Sequence, residues 1–566
     1  MKLSHHINFL IFILLFLLPS CSLINEDFPV PADDENFMPT DLYFALDIMM
    51  PNENGSRSAT EDGGGSEEPP LNGEGKEIEV SSAYIYFYNI DDGSFVTSFF
   101  VSQSMVNKSQ EKIEGKSDGV YKLTAKVEYE QLKALLGNNL NLYVLANPRD
   151  FPGFHTEESD FLKSTFSFKP YPFVTGGILC PMSNLEKYEI DLSEYKVSEG
   201  DSKSQVFDLI KGLFSGDYEK GKLWDVSYGK DKDKDTGKDK YEGKGSLKLE
   251  RSIARIDYKS SKTGDVKDLY RIANAKGDVF VKIVSMQLFN LSQKAFYFRH
   301  TAAAAEEVDK ATGDILPFGN EKNDGRLPAP ENSYNWIADC DWEGTSPTYT
   351  KNVSGFLNPM KSTTTENEKT NWSIGGDDSN LYCTTMQDFG TTDYKEWYYI
   401  NENTLPSTTD MTLEKATGIA FRVIVCNANG IPITGQAGGT FRITLGGNAG
   451  DKEGHYRELE WTPTNDEEKE PGGFYMTYYY LIEHNNNQYP SSDQSGSSSD
   501  NNTVNGKDGK RNNLDPMQIG IVRNNVYQLS VTGINNIPDT KEPDNYSLSI
   551  DIKVLPWVKR SISVSW

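Results

Sequence analysis

The stretch YKLTAKVEY, residues 121 to 129, decides the fold class. Tyr121, Leu123, Ala125, Val127 and Tyr129 alternate with Lys122, Thr124, Lys126 and Glu128. Successive side chains of a strand point to opposite faces, so this period of two predicts a strand with one buried face. Working outward, the same apolar or alternating character recurs in SSAYIYFYNI (81 to 90), NLNLYVLANP (139 to 148), FVKIVSMQLFNL (280 to 291), GIAFRVIV (418 to 425) and FYMTYYYLI (474 to 482). These runs are short, rich in β-branched and aromatic residues, and bounded by Gly, Asn, Asp or Pro. Helical periodicity is best developed in EYEQLKALLG (128 to 137) and SQVFDLIKGLF (204 to 214). The expectation is a mainly β chain built as sandwiches with few short helices.

With 566 residues, the chain exceeds the roughly 250–300 residues at which single cores stop growing, so two domains are expected. An apolar fraction of 37% and an aromatic fraction of 12% are enough to build cores. A net charge of -27 disfavours nucleic acid as a partner, because phosphate backbones attract cationic faces. Two segments, GKDKDKDTGKDKYEGKG (229 to 245) and PSSDQSGSSSDNNTVNGKDGKRNN (490 to 513), are too polar to bury a core and read as solvated insertions. The first is taken as the domain boundary, giving an N-terminal domain ending at 245 and a C-terminal domain over 246–566.

The N-terminus, MKLSHHINFLIFILLFLLPSC, has Lys2, an apolar run from Phe9 to Leu18 and a small-residue end before Cys21. The run is shorter than the roughly 20 residues that span a bilayer. It has the layout of a secretory signal over residues 1–20, and its ending resembles a bacterial lipobox, in which the cysteine sulfur is acylated and becomes the mature N-terminus. Two acyl chains on Cys21 would hold the precursor firmly to a membrane. Cys180, Cys340, Cys383 and Cys426 are widely spaced, their pairing is open, and buried free thiols are the favoured reading.

Catalytic and metal signatures are defective. Asp231, Asp233, Asp235, Asp239 and Glu242 have calcium-loop spacing, but Thr236 stands where the turn glycine belongs and four lysines interleave. GDYEKGKL (216 to 223) has phosphate-loop spacing, yet Leu223 replaces the magnesium-binding Ser or Thr. Outside the signal, His155, His300, His455 and His484 lie far apart. No enzyme, cofactor or metal site is therefore expected.

One cation stands apart: Arg57 is the only Lys or Arg between Lys2 and Lys76, and it sits in PNENGSRSAT (51 to 60). Around it, an ordered set of features resembles the fimbrillin family of Bacteroidales, the subunits of donor-strand fimbriae, and more closely the branch of the short-fimbria major subunit. The set comprises Cys21, DLYFALDIMM (41 to 50), SRSAT, SSAYIYFYNIDDGSFV, LYVLANP, RSIARIDYK (251 to 259), VSMQLFNLSQKAFYF (284 to 298), WYYINENT (397 to 404), YYYLIEHNNN (478 to 487), MQIGIVRNNVYQLSVTGINNI (517 to 537) and SLSIDIKVLPWVKRSISVSW (547 to 566).

The resemblance implies two transthyretin-like β-sandwich domains and a lipoprotein precursor at the outer membrane. It further implies a cut between Arg57 and Ser58 by an arginine-specific protease, so that 21–57 is a propeptide and 58–245 the N-terminal domain. The excised strand carries Leu42, Phe44, Leu46 and Ile48. Its groove would then be filled by the C-terminal strand of another subunit, in a homopolymer at the cell surface. The local residues agree with such a cut, since Gly55, Ser56 and Ser58 flank the arginine in a flexible loop.

The C-terminus carries the donor pattern in its own right: Tyr546, Leu548, Ile550, Ile552 and Val554 alternate with polar residues, and Ile562, Val564 and Trp566 repeat the alternation. A strand of this kind fits an open sheet edge, although it equally fits the edge of its own sheet. The expected function is a fimbrial structural subunit supporting adhesion and biofilm formation. The alternatives are a fimbrial tip or anchor subunit and a lipid-anchored surface glycan-binding protein.

Overall fold

The alternation of YKLTAKVEY produces strand Val120–Val127, in which Leu123, Ala125 and Val127 turn inward while Lys122 and Lys126 turn outward. The structure is a computed structural model, and it describes residues 41–49, 71–72, 75–108, 120–151, 153–213, 216–218, 221–226, 246–303, 310–318, 335–364, 370–375, 383–446, 456–463, 471–484, 517–538 and 548–558. Cys21, Arg57, Ser58, Tyr546, Ile562, Val564, Trp566, the calcium-like spacing and both polar insertions lie outside the described residues.

The protein is mainly β. Among the described residues the α-helices are Tyr129–Leu135, Glu158–Leu162 and Lys203–Ile210. Both helices expected from sequence form, and each starts at a reciprocal capping box. The Ser202 hydroxyl accepts from Gln205 N at 3.3 Å, while the Gln205 side chain accepts from Ser202 N at 2.8 Å. Val206 and Ile210, one turn apart, bury the helix against the first core.

The first sheet has eleven strands. Its spine runs Gly221–Asp225, Leu42–Met49, Leu247–Arg251, Met182–Asn184, Asn139–Ala146, Ala83–Asn89 and Phe95–Val101, with Val120–Val127 laid along the other edge of Leu42–Met49. The inward residues form one core that includes Phe44, Ile85, Leu123, Leu142, Trp224 and Leu249.

The chain passes from this sheet to the next between Arg251 and Ala254. The second sheet is ordered Leu71–Asn72, Leu548–Val558, Asn525–Ile534, Ala254–Tyr258, Lys395–Ile400 and Tyr171–Pro172. A third, of seven strands, is centred on Phe280–Phe289, Gly418–Cys426 and Gly473–Leu481. Ile256 and Leu529 of the second sheet share a core with Val281, Phe421 and Tyr478 of the third, which makes a sandwich. Tyr86, Tyr143 and Phe161 meet Phe298 and Tyr399 in an aromatic cluster that joins residues of the first sheet to the later chain.

Candidate functional site

The residues expected to leave the fold occupy the middle of the first sheet. Leu42–Met49 pairs antiparallel with Val120–Val127 over all eight residues, from Leu42↔Val127 to Met49↔Val120. Two strands share its opposite edge, both parallel: Leu42–Ala45 lies beside Lys222–Asp225, and Ile48 and Met49 lie beside Leu247 and Lys248. Taking this strand away would open a slot with a wall of backbone donors and acceptors on each side.

The side chains fill that slot from within. Leu42, Phe44, Leu46 and Ile48 project into the core and are buried. The Phe44 ring meets Phe87, Phe99 and Trp224 at centroid distances of 5.5, 5.3 and 5.2 Å. On the opposite face Asp47 is also buried, 3.6 Å from Lys122 Nζ, which contacts Asp225 at 2.5 Å. One lysine thus ties the central strand to a strand on each side of it.

Among the described residues that follow the lone arginine in sequence, the first are Leu71 and Asn72 of the second sheet, which pair parallel with Trp557 and Val558. The short 3-10 turn Gly75–Ile78 then delivers Glu77 into the interior. Its carboxylate takes Arg255 Nη1 at 3.0 and 2.8 Å and the Tyr399 hydroxyl at 2.5 Å, while Arg251 Nε donates to its backbone carbonyl at 3.2 Å. Arg255 also grips Asp257 at 2.9 and 3.1 Å. Burial, then the adjacent Glu77, holds the Tyr399 hydroxyl above its usual range. Burial likewise raises Asp257, against the opposing pull of Arg255. Sequence reading missed Glu77, one acid among 83 Asp and Glu; it stands ahead of strand Ala83–Asn89 and outside its alternation, so it has no periodic signature.

The described part of the expected donor, Leu548–Val558, pairs antiparallel with Asn525–Ile534, from Ile534↔Leu548 to Asn525↔Pro556. Leu548 and Val554 belong to the sandwich core, and Ile550 and Ile552 pack against it. The described donor anchors therefore share one face, and within this chain that face packs into the sandwich core shared with the third sheet.

The phosphate-loop spacing forms a hairpin instead, with Gly216 opposite Leu223. Cys180, Cys340 and Cys426 are free thiols. Among the described residues no group of three or more His, Cys, Asp or Glu side chains could hold a metal, and no helix is long and apolar enough to cross a membrane.

No family model matches the chain, and no curated protein matches it. Solved structures similar to it are fimbrial and cell-adhesion proteins. One, from Parabacteroides distasonis and described provisionally as a cell adhesion protein, is 12% identical over 91% of this chain and 98% of that one, with a TM-score of 0.39. A fimbrilin (FimA) from Porphyromonas gingivalis is 11% identical over 92% and 98%, with a TM-score of 0.36. The tip fimbrial protein Mfa3 from Porphyromonas gingivalis, truncated at its C-terminus, is 11% identical over 91% and 100%, with a TM-score of 0.31. Likeness at these levels leaves function to be argued from the chain's own residues.

Proposed function

We propose that this chain is a fimbrillin-family structural subunit of a cell-surface fimbrium. It would be exported as a lipoprotein acylated at Cys21, cut after Arg57, and polymerised when the C-terminal region Tyr546 to Trp566 of another subunit enters the groove of strand 42–49. The observation that carries the reading is the position of that strand: central and buried, yet joined to the rest of the fold through the segment that holds the lone arginine. An N-terminal strand at the centre of a sheet is a costly part to discard unless another strand replaces it. A strand with matching alternation restores the main-chain hydrogen bonds and refills the side-chain pockets. In this reading residues 58–245 and 246–566 supply most of the two β domains of the mature subunit, with strand Leu247–Arg251 still in the first sheet and Leu71–Asn72 and Tyr171–Pro172 in the second, and its partners are further copies of itself together with an arginine-specific protease.

The test is the N-terminal sequence of the surface protein, with an Arg57→Ala variant run beside it on an unheated denaturing gel. A mature chain starting at Ser58, with resistant oligomers that the variant lacks, supports the reading. A monomer still starting at acylated Cys21 overturns it and favours a lipid-anchored protein. A glycan-binding role for such a protein has one structural feature in its favour. Phe100, Phe151 and Phe154 are exposed, with Phe151 lying 5.2 Å from both Tyr84 and Phe154.

A further inference from the structure

A further core, built around Trp336, Ile337, Ala338 and Trp342, holds a charge pair that has no part in the groove. Lys351 Nζ is in direct hydrogen-bond contact with Asp339 Oδ2, and the two side chains are 0% and 1% exposed. Asp339 follows strand Asn335–Ala338, and Lys351 closes the two-residue strand Thr350–Lys351, which folds back on Trp342–Glu343.

Both carboxyl oxygens of Asp339 are held by backbone donors, and Oδ2 by the lysine as well. Thr404 N donates to Asp339 Oδ2 at 2.6 Å and Asp341 N donates to Oδ1 at 2.9 Å. A fixed backbone donor on each oxygen is the arrangement that stabilises negative charge as a carbonyl carbon is attacked. A second carboxylate, Asp341 Oδ2, lies 3.8 Å from Lys351 Nζ and is oriented by the Ser292 hydroxyl at 2.7 Å. That separation exceeds a hydrogen bond, so Asp341 has to swing toward the nitrogen before it can take a proton from it. The Phe356 ring, its centroid 5.6 Å from Nζ, helps cover the pair, and the Trp342 indole is anchored to Thr404 O at 3.1 Å. Burial lifts the Asp339 carboxyl to about 6 against the pull of Lys351, which brings its neutral, electrophilic form within reach.

We propose that Lys351 and Asp339 condense into an intramolecular isopeptide bond, with Asp341 relaying the proton. A proton passes from the ammonium to the carboxylate along their hydrogen bond, and the freed amine attacks Asp339 Cγ. The Nζ–Cγ bond forms, the bond from Cγ to one carboxyl oxygen breaks, and that oxygen leaves with two protons as water. Asp341 takes a proton from the nitrogen and returns it to the departing oxygen, so it ends as it began. No oxidant or co-reactant is needed. The product is a covalent loop from 339 to 351 closed by a bond in the interior. The inference is independent of the fimbrial reading.

The test is peptide mapping of the full-length protein after denaturation and trypsin digestion. A cross-linked lysine is no longer a trypsin site, so the bond after Lys351 stays uncut, and the peptide carrying Asp339 and Lys351 is lighter by one water. Fragmentation between the two residues then yields no separated ions. Asp341→Asn, which keeps the side-chain shape, is expected to fold as judged by circular dichroism and to lose most of the cross-link. Lys351→Arg should lose all of it. Trypsin cutting after Lys351 in the wild type, with the full unmodified mass, overturns the proposal and leaves a buried ion pair. A cross-link that survives intact in Asp341→Asn overturns the assigned relay.

Discussion

Replacing Phe44 by alanine should destabilise the precursor heavily and the assembled subunit not at all. Phe44 is wholly buried, with three aromatic neighbours 5.2–5.5 Å away. Removing a buried Phe side chain costs about 3–5 kcal/mol through lost transfer energy and the cavity left behind. At roughly 2–4 °C per kcal/mol for a domain of this scale, the melting temperature should fall by roughly 6–20 °C. The assay is thermal or urea unfolding, run first on the uncut precursor carrying Arg57→Ala. It is then run on fimbriae collected from cells expressing Phe44→Ala alone. If strand 42–49 is discarded, residue 44 is absent from the fibre, and the two fibres should unfold alike. A fibre weakened by several kcal/mol would show that the strand remains in place, and the groove reasoning would be refuted.

Glu77→Gln removes the charge that faces Arg255 and should cost about 3–5 kcal/mol, because it leaves a buried cation with one of its two partners; the urea midpoint reports it. His300 and His484 are both buried, and burial lowers each to about 3 from 6.5. The unfolded chain therefore binds protons from near pH 6.5 downward while the folded chain refuses them, so stability falls as pH drops from 6.5 toward 3. The slope is about 1.4 kcal/mol per pH unit for each histidine. Asp268, lifted from 3.8 to about 6 by burial, acts in the opposite sense between those two values, since there the folded state takes up the proton first. Melting temperatures should accordingly fall as the pH drops below about 6.5, and His484→Gln should flatten that slope. Gly418→Ala would set a Cβ against the Phe289 ring and 2.5 Å from Tyr480 O, and a loss of about 1–3 kcal/mol should appear in the same melts.

The strands themselves were legible because a period of two is a local property. The runs at 121–129, 139–148 and 280–291 correspond to strands Val120–Val127, Asn139–Ala146 and Phe280–Phe289. Pairing is not local. Nothing in DLYFALDIMM reveals that Leu42–Ala45 will lie parallel to Lys222–Asp225, far along the chain, because alternation sets a strand's faces and says nothing about its edges. Asp47 reads as a solvent-side residue and is buried, because Lys122 lies directly opposite it in the ladder. The C-terminal alternation was legible for the same local reason, and the sheet it serves was not. Glu77, Asp339 and Lys351 escaped notice because a buried charge is recognised by its partner, and each partner is distant in sequence or looks like any other surface residue.

In the proposed pathway the cut at Arg57 can act without breaking any contact inside the sheet. Burial of Leu42, Phe44, Leu46 and Ile48 contributes roughly 1.5–3 kcal/mol each, or about 6–12 kcal/mol together. While the loop is intact, that sum opposes only a loop-closure entropy that grows slowly with loop length. Once the loop is cut, the strand must hold on as a separate molecule against about 4–15 kcal/mol of lost translational and rotational freedom. The two ranges overlap. The same contacts that were secure in one chain become marginal in two, and the excised strand becomes replaceable. Glu77, clamped by Arg255 and Tyr399, lies on the far side of the cut, so the chain beyond it keeps its hold on the second sheet while the first strand is exchanged.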